Sequence, residues 1–139
     1  MSQFRFQHPL RVRYSEIDGQ KIVFNAHYLT YFDIAITEYF RELPYDYLSM
    51  AERLGQDFHT VRTVIDYKAP ILFDEIIEVG CRTARIGRSS LTFALQIVGE
   101  ERLRATGEVV WVNTDQSTHS STALPTELVD RIRELGEGS

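Results

Sequence analysis

The segment that most constrains the fold is a run of large apolar residues between positions 26 and 43. At helical spacing they cover nearly the whole circumference of a helix: Tyr28, Leu29, Tyr31, Phe32, Ile34, Ala35, Ile36, Tyr39 and Phe40. A helix that is apolar on every side has to be surrounded by protein. Asn25 lies just before this run, and asparagine is a residue type that caps helices, because its side chain accepts hydrogen bonds from N–H groups of the first turn. The sequence therefore predicts a long buried helix capped by Asn25, and a second subunit is a further candidate for covering part of it.

Most of the remaining chain has the pattern of β-strands. Alternation is clearest where Leu91, Phe93, Leu95 and Ile97 share one face. Pro125 opens a final amphipathic helix that ends before Gly136, and the last four residues are expected to fray. Strands are predicted at residues 10–14, 61–68, 75–84, 91–98 and 104–113. Antiparallel strands with one buried helix predict an α+β fold in which a sheet wraps around that helix.

Length, charge and cysteine content narrow the class of protein. The 139 residues fit one domain, residues 1–139. A net charge of −5 argues against nucleic-acid binding, because phosphate backbones demand a basic face. No apolar run is long enough to cross a bilayer. Cys81 is the single cysteine, so no internal disulfide forms and a cytoplasmic location is expected.

One long motif carries a resemblance to a known family. The motif runs RVRYSEIDGQKIVFNAHYLTYFDIAITEYFR from Arg11 to Arg41, with acidic residues at Glu16 and Asp18 before an aromatic-rich helix opening. It resembles the 4-hydroxybenzoyl-CoA thioesterase family of hotdog-fold proteins. Weaker family patterns follow downstream, in YKAP with FD at residues 67–74, in GRSS at residues 87–90 and in WVN at residues 111–113.

The resemblance implies hydrolysis of acyl-CoA thioesters by a hotdog-fold enzyme. Asp18 would be the catalytic carboxylate, either attacking the thioester carbonyl or acting as general base on water. The backbone N–H of Asn25, where the buried helix begins, would donate to the carbonyl oxygen. By spacing alone, Asp18-Gly19 is more typical of a plain turn, and the resemblance reverses that interpretation.

One position departs from the family pattern. The family has glycine three residues after the catalytic aspartate, and this chain has Lys21. Glycine suits a left-handed loop conformation that lysine adopts only at an energetic cost. Gly19 is a candidate to take over the turn.

Substrate binding is predicted at two places. His27 and Tyr28 open the helix beside the catalytic pair, and Arg88, Ser89 and Ser90 form a hairpin whose guanidinium and hydroxyl groups suit the phosphates of coenzyme A. The other interpretation of this hairpin is a solvated turn. The histidines and Cys81 lack metal-ligand spacing, and there is no glycine-rich nucleotide loop, so neither metal nor cofactor is expected.

Two alternatives to hydrolysis stay open. One is an acyl-CoA-binding hotdog module without turnover, although such a module has no use for a carboxylate beside a thioester. The other is a hotdog hydratase or dehydratase, which would use a histidine with a carboxylate on the buried helix. Whichever holds, one chain offers a shallow groove, so a homodimer joined sheet edge to sheet edge, or a homotetramer, is expected.

Overall fold

A computed structural model describes residues 3–138, which form five strands and three helices. Two short 3-10 turns, Tyr14–Glu16 and Tyr47–Ser49, lie in the connections. In chain order the elements are β1 (Phe6–Arg11), α1 (His27–Glu42), α2 (Met50–Leu54), β2 (Gln56–Tyr67), β3 (Ile76–Ile86), β4 (Ser90–Gly99), β5 (Arg102–Asp115) and α3 (Thr126–Glu134).

The strands form one antiparallel sheet in the order β1-β3-β4-β5-β2, and α1 packs on one face of it. The α1 side chains that are buried are Tyr28, Tyr31, Phe32, Ala35, Ile36, Tyr39 and Phe40. A side chain at Gly107 of β5 would collide with the Phe32 ring, so the glycine lets the helix lie close to the sheet. The predicted α+β arrangement is confirmed, while Leu29, at 43% exposed, marks a strip of α1 that one chain leaves uncovered.

The first strand and the helix start differ from the predictions. β1 ends at Arg11, and Tyr14, which the alternation placed in a half-buried strand, is 75% exposed in a 3-10 turn. The cap of α1 is Ala26, with no side-chain hydrogen bond, and not Asn25. The chain already turns before the helix, since the N–H groups of His27 and Tyr28 donate to backbone carbonyls of Phe24 and Asn25. Main-chain acceptors therefore replace the expected cap.

The C-terminal tail is also different from the expectation. The carboxylate of Glu137 accepts from the Tyr39 hydroxyl at 2.6 Å and from the Thr83 N–H at 2.9 Å. The Gly138 N–H donates to the Thr83 carbonyl at 3.0 Å. Beyond Cys81, β3 has no β1 partner, so its free edge supplies the groups that bind the tail. The prediction of a frayed tail was wrong for residues 136–138; Ser139 lies outside the described residues.

Candidate active site

Asp18 lies in a tight loop that its own atoms close. The Asp18 N–H donates to the Ile22 carbonyl at 2.9 Å, and the Lys21 N–H returns a hydrogen bond to the Asp18 carbonyl at 2.9 Å. Oδ1 of Asp18 accepts from the Gln20 N–H at 2.7 Å. Oδ2 accepts from no group among residues 3–138. The carboxylate thus stabilises the turn with one oxygen and leaves the other without a hydrogen bond from residues 3–138, so a turn at Asp18-Gly19 does not exclude a catalytic role.

The backbone of this loop is strained at Lys21. Lys21 has φ of 65°, in the left-handed region, whereas Gly19 does not have positive φ. Gly19 therefore does not take over the turn, and Lys21 itself adopts the left-handed conformation. A lysine at that backbone angle costs roughly 1–2 kcal/mol.

Glu16 anchors the same loop to α1, a role that the sequence did not predict. Glu16 is 8% exposed, and its carboxylate accepts hydrogen bonds from the Tyr31 hydroxyl and the Arg13 N–H, each at 2.8 Å. Its backbone carbonyl accepts from the Phe24 N–H. Burial opposes ionisation, but these hydrogen bonds outweigh it and hold the pKa of Glu16 below its usual value. The acidic residue two positions before Asp18 in the motif was the one sequence feature that pointed here.

Asp18 and Asn25 line one groove of about 510 Å³ beside the start of α1. Within residues 3–138 the Asn25 N–H donates to no protein acceptor, and Asn25 is exposed. Its carbonyl accepts from the Tyr67 hydroxyl at 3.3 Å. The other residues lining the groove are Gln20, Ile22, Val23, Tyr28, Tyr67, Lys68, Ala69 and Pro70. The structure therefore brings the predicted carboxylate and the predicted donor into one opening.

The two predicted residues at the helix start differ in position. Tyr28 is buried at the groove, with its ring edge-to-face on Tyr67 at 4.8 Å. Burial, with the neighbouring Tyr67 phenol adding to it, raises the pKa of Tyr28. His27 is half-buried, packs against the Phe24 ring at 6.0 Å and does not line the groove. Its role in substrate binding stays a prediction.

A second groove, of about 370 Å³, includes Ala26, the residue after Asn25, and is lined by α1 and by the strands β2 and β5. Trp111 and Val109 of β5 form its floor, and Leu29 and Ile36 of α1 form one wall. Polar groups come from Thr30, Asp33 and Thr60. This groove is mostly apolar, and its residue Ala26 directly follows Asn25 in the chain.

The predicted phosphate-binding hairpin lies elsewhere in the chain. Arg88 is exposed, and backbone hydrogen bonds join Arg88 and Ser89 to Leu124 and Asn113. Ser90 begins β4. The Asp18 groove is lined by Tyr67 of β2, which pairs with Ala105 of β5, and Ala105 pairs in turn with Ile97 of β4. Along the strands, the groove is therefore at the level of Ile97. Seven residues of strand separate the two levels, about 24 Å. A single chain does not bring Arg88, Ser89 and Ser90 to Asp18.

A buried ion pair lies next to the groove, because Arg104 also donates a hydrogen bond to the carbonyl of Pro70, which lines the groove. Arg104 and Glu75 meet with N–O distances of 2.7 and 2.8 Å, and their side chains are 6% and 8% exposed. Burial disfavours the Glu75 carboxylate, but the Arg104 guanidinium outweighs it and lowers the pKa of Glu75. No cluster among the described residues is able to hold a metal ion, and none of the described helices is long and apolar enough to span a membrane.

Comparison with known proteins decides the family. Residues 20–106, more than half of the chain, match the model of the Thioesterase superfamily. The chain belongs to this superfamily. Asp18 lies two positions before the matched residues, while Asn25 and residues 88–90 lie within them.

Individual relatives agree with the superfamily assignment. An Escherichia coli protein described as the acyl-CoA thioester hydrolase YbgC is 29% identical over 136 residues, covering 96% of this chain and all of the relative. A Thermus thermophilus thioesterase, solved with coenzyme A and zinc, is 30% identical with a TM-score of 0.82, covering 97% of this chain and 96% of its own. A 1,4-dihydroxy-2-naphthoyl-CoA thioesterase from Synechocystis, 16% identical, has a TM-score of 0.87 over 95% of this chain and 98% of its own, a likeness of fold.

The resemblance to hotdog-fold thioesterases is therefore confirmed, and the chain is an enzyme with thioesterase activity. Membership of the Thioesterase superfamily favours hydrolysis over the two alternatives, an acyl-CoA-binding module without turnover and a hydratase or dehydratase. The individual catalytic residues and the oligomeric state remain predictions.

Proposed function

We propose that this thioesterase hydrolyses acyl-CoA thioesters to a free acid and coenzyme A, with Asp18 as the catalytic carboxylate. The observation that carries the proposal is the shared groove: Asp18 has an unengaged oxygen, and Asn25 has an unengaged backbone N–H at the start of α1. The functions of the YbgC and Thermus relatives support coenzyme A esters as the substrate class.

Two routes use the same carboxylate. In the nucleophilic route, Asp18 attacks the carbonyl carbon, the C–S bond breaks, and the departing thiolate takes a proton from solvent. Water then cleaves the mixed anhydride, which releases the acid and regenerates Asp18. In the general-base route, Asp18 accepts a proton from the water that attacks the carbonyl, the same C–S bond breaks, and the proton passes from Asp18 to the departing thiolate, which regenerates the carboxylate.

Both routes place negative charge on the carbonyl oxygen in the transition state. The Asn25 N–H, with the partial positive charge at the start of α1 behind it, stabilises that charge. A donor of this kind contributes about 2.7–4 kcal/mol to catalysis. The acyl group extends past Ala26 into the mostly apolar groove over Trp111 and Val109.

A homodimer completes the proposed substrate site. β2 lies at a sheet edge and, among the described strands, pairs only with β5. Unpaired strand edges are templates for pairing with a second chain. Antiparallel pairing of β2 with the partner's β2 would bring the partner's Arg88, Ser89 and Ser90 to the end of the sheet that holds Asp18. The lateral offset is then three strand spacings, about 14 Å, so the hairpin acts on coenzyme A across the dimer.

The experiment is thiol release from a panel of acyl-CoA esters by the wild type and by Asp18→Asn. Asparagine keeps the shape and the turn hydrogen bond but removes the nucleophile or base, so kcat should fall at least about 10²-fold. Asp130→Asn, an exposed change on α3, is the matched control and should leave turnover unchanged. Near-normal thiol release by Asp18→Asn would rule out this mechanism.

A further inference from the structure

Asp18 lines two grooves, and each of them includes one lysine. Lys68 lines the groove that contains Asn25, and Lys21 lines a third groove, of about 580 Å³, together with Tyr14 and Phe73. Both lysines are exposed, and neither forms an ion pair within residues 3–138. A protein of net charge −5 needs local cations to hold a polyphosphate, and these two are within reach of the catalytic loop.

Lys68 is carried on a segment that the buried ion pair holds in place. The N–H groups of Lys68 and Ala69 both donate to the Arg104 carbonyl, at 2.8 and 3.1 Å. The Arg104 guanidinium in turn donates to the Pro70 carbonyl at 2.8 Å. Arg104 is itself fixed by Glu75. The backbone from which the Lys68 side chain projects is therefore held in place before any anion binds, so ordering of the backbone adds little to the cost of binding.

The same segment is joined to the catalytic loop. The Val23 N–H donates to the Ile71 carbonyl at 2.8 Å, and Val23 pairs with Ile17 directly before Asp18. On the other side, Tyr67 donates to the carbonyl of Asn25. The backbone of Lys68 is thus tied to the segments that carry Asp18 and Asn25, whereas Lys21 lines a groove that does not include Asn25.

We propose that Lys68 binds the phosphates of coenzyme A and that the coenzyme leaves the thioester site over the end of β2, past Lys68. This inference rests on the proposed function. A thioester whose carbonyl lies between Asp18 and Asn25 has its sulfur in the groove that Lys68 lines. The end of β2 also faces the partner's hairpin in the proposed dimer, so Lys68 and the partner's Arg88 lie on one path.

The inference is tested by binding of coenzyme A, which needs no turnover, and of pantetheine, which lacks every phosphate. Calorimetry on Lys68→Gln should show the Kd for coenzyme A raised about 3- to 10-fold, the size expected for a lost contact between exposed charges. Pantetheine should bind as it does to the wild type. Lys68→Arg should restore binding of coenzyme A, and the difference should shrink at high salt.

Lys21→Gln is the matched control, because it also removes an exposed charge from a groove that Asp18 lines, but from the groove that lacks Asn25. Its Kd for coenzyme A should equal that of the wild type. Wild-type affinity in Lys68→Gln, equal losses for coenzyme A and pantetheine, or a loss in Lys21→Gln alone would each overturn the inference, as would a wild type that does not bind coenzyme A. If coenzyme A binding depends on Lys68 but no acyl-CoA ester is hydrolysed, the proposed function fails and the inference stands.

Discussion

At the scale of single residues, Lys21 adopts a left-handed backbone conformation that glycine adopts more easily. Its φ is 65°, and the loop closes through the hydrogen bonds between Asp18, Lys21 and Ile22. The hydrogen bonds of the turn and the anchor at Glu16 offset the strain. Such strain is common where a loop positions a functional group.

Replacing Lys21 by glycine should therefore stabilise the protein. Removing the side chain relieves the left-handed strain, and part of the gain is offset by the greater entropy of unfolded glycine. The net increase in the free energy of unfolding should be about 0.5–1 kcal/mol, measured by urea unfolding at matched protein concentrations. Gly19→Ala, where a Cβ meets open space at ordinary φ, is the comparison for a glycine that needs no special conformation. A Lys21→Gly variant that is no more stable than wild type would show that the loop carries no strain.

At the scale of elements, the tail joins α1 to β3 through one carboxylate. Glu137→Ala removes the acceptor of the Thr83 N–H and of the Tyr39 hydroxyl, leaving Tyr39 with Thr83 Oγ1 at 2.7 Å. An unsatisfied buried donor costs about 1–3 kcal/mol, so the Tm of Glu137→Ala should be lower than that of the wild type. Glu134→Ala, an exposed change at the end of α3, should stay within about 0.5 kcal/mol of wild type. Equal stability of the two variants would mean that the tail is not held by Glu137.

The buried carboxylates Glu16 and Glu75 predict how stability depends on pH. Both have a pKa lowered by folding, relative to a value of 4.5 in the unfolded chain. A lowered pKa means that the unfolded state binds more protons, so the contribution is complete above about pH 4.5 and is lost as the pH falls below that value. Unfolding by urea between pH 7 and pH 3 should show this decline, and Glu75→Gln should make it shallower. A decline of the same slope in wild type and Glu75→Gln would contradict a contribution from this carboxylate.

At the scale of the whole molecule, the open edge of β2 and the distant hairpin lead to one expectation. If the partner's Arg88 completes the site, a dimer of one Asp18→Asn chain and one Arg88→Ala chain has one site with both changes and one site with neither. Co-expressed chains that assort at random should then recover roughly a quarter of the wild-type sites, measured as kcat/KM at low substrate concentration.

If Arg88 acted within its own chain, both sites of the mixed dimer would be defective and no recovery would occur. Arg88→Ala alone should raise KM with kcat nearly intact, since it removes binding common to ground and transition states. Sedimentation at micromolar concentration provides the check on assembly, because a monomer would contradict the shared site.

The sequence by itself predicted most of the strands, the long helix α1 and the motif around Asp18, but not the short helix α2. Alternation in residues 91–98 and the apolar run of α1 depend on local periodicity, which a single segment displays in full. The strand and helix types were therefore predictable, and the motif around Asp18 indicated the superfamily. The ends of the elements were less predictable. The turn at Tyr14 and the cap at Ala26 depend on hydrogen bonds between backbone groups, which every residue type carries.

Only the tertiary structure decided which distant residues meet. Glu137 and Tyr39 lie 98 positions apart, and Arg104 and Glu75 lie 29 apart. No periodicity relates such residues, so their pairing follows from how α1, α3 and the strands pack together. The same is true of the site: the sequence named Asp18 and Asn25, but the fold placed Lys68 beside them and carried Arg88 to the opposite end of the sheet.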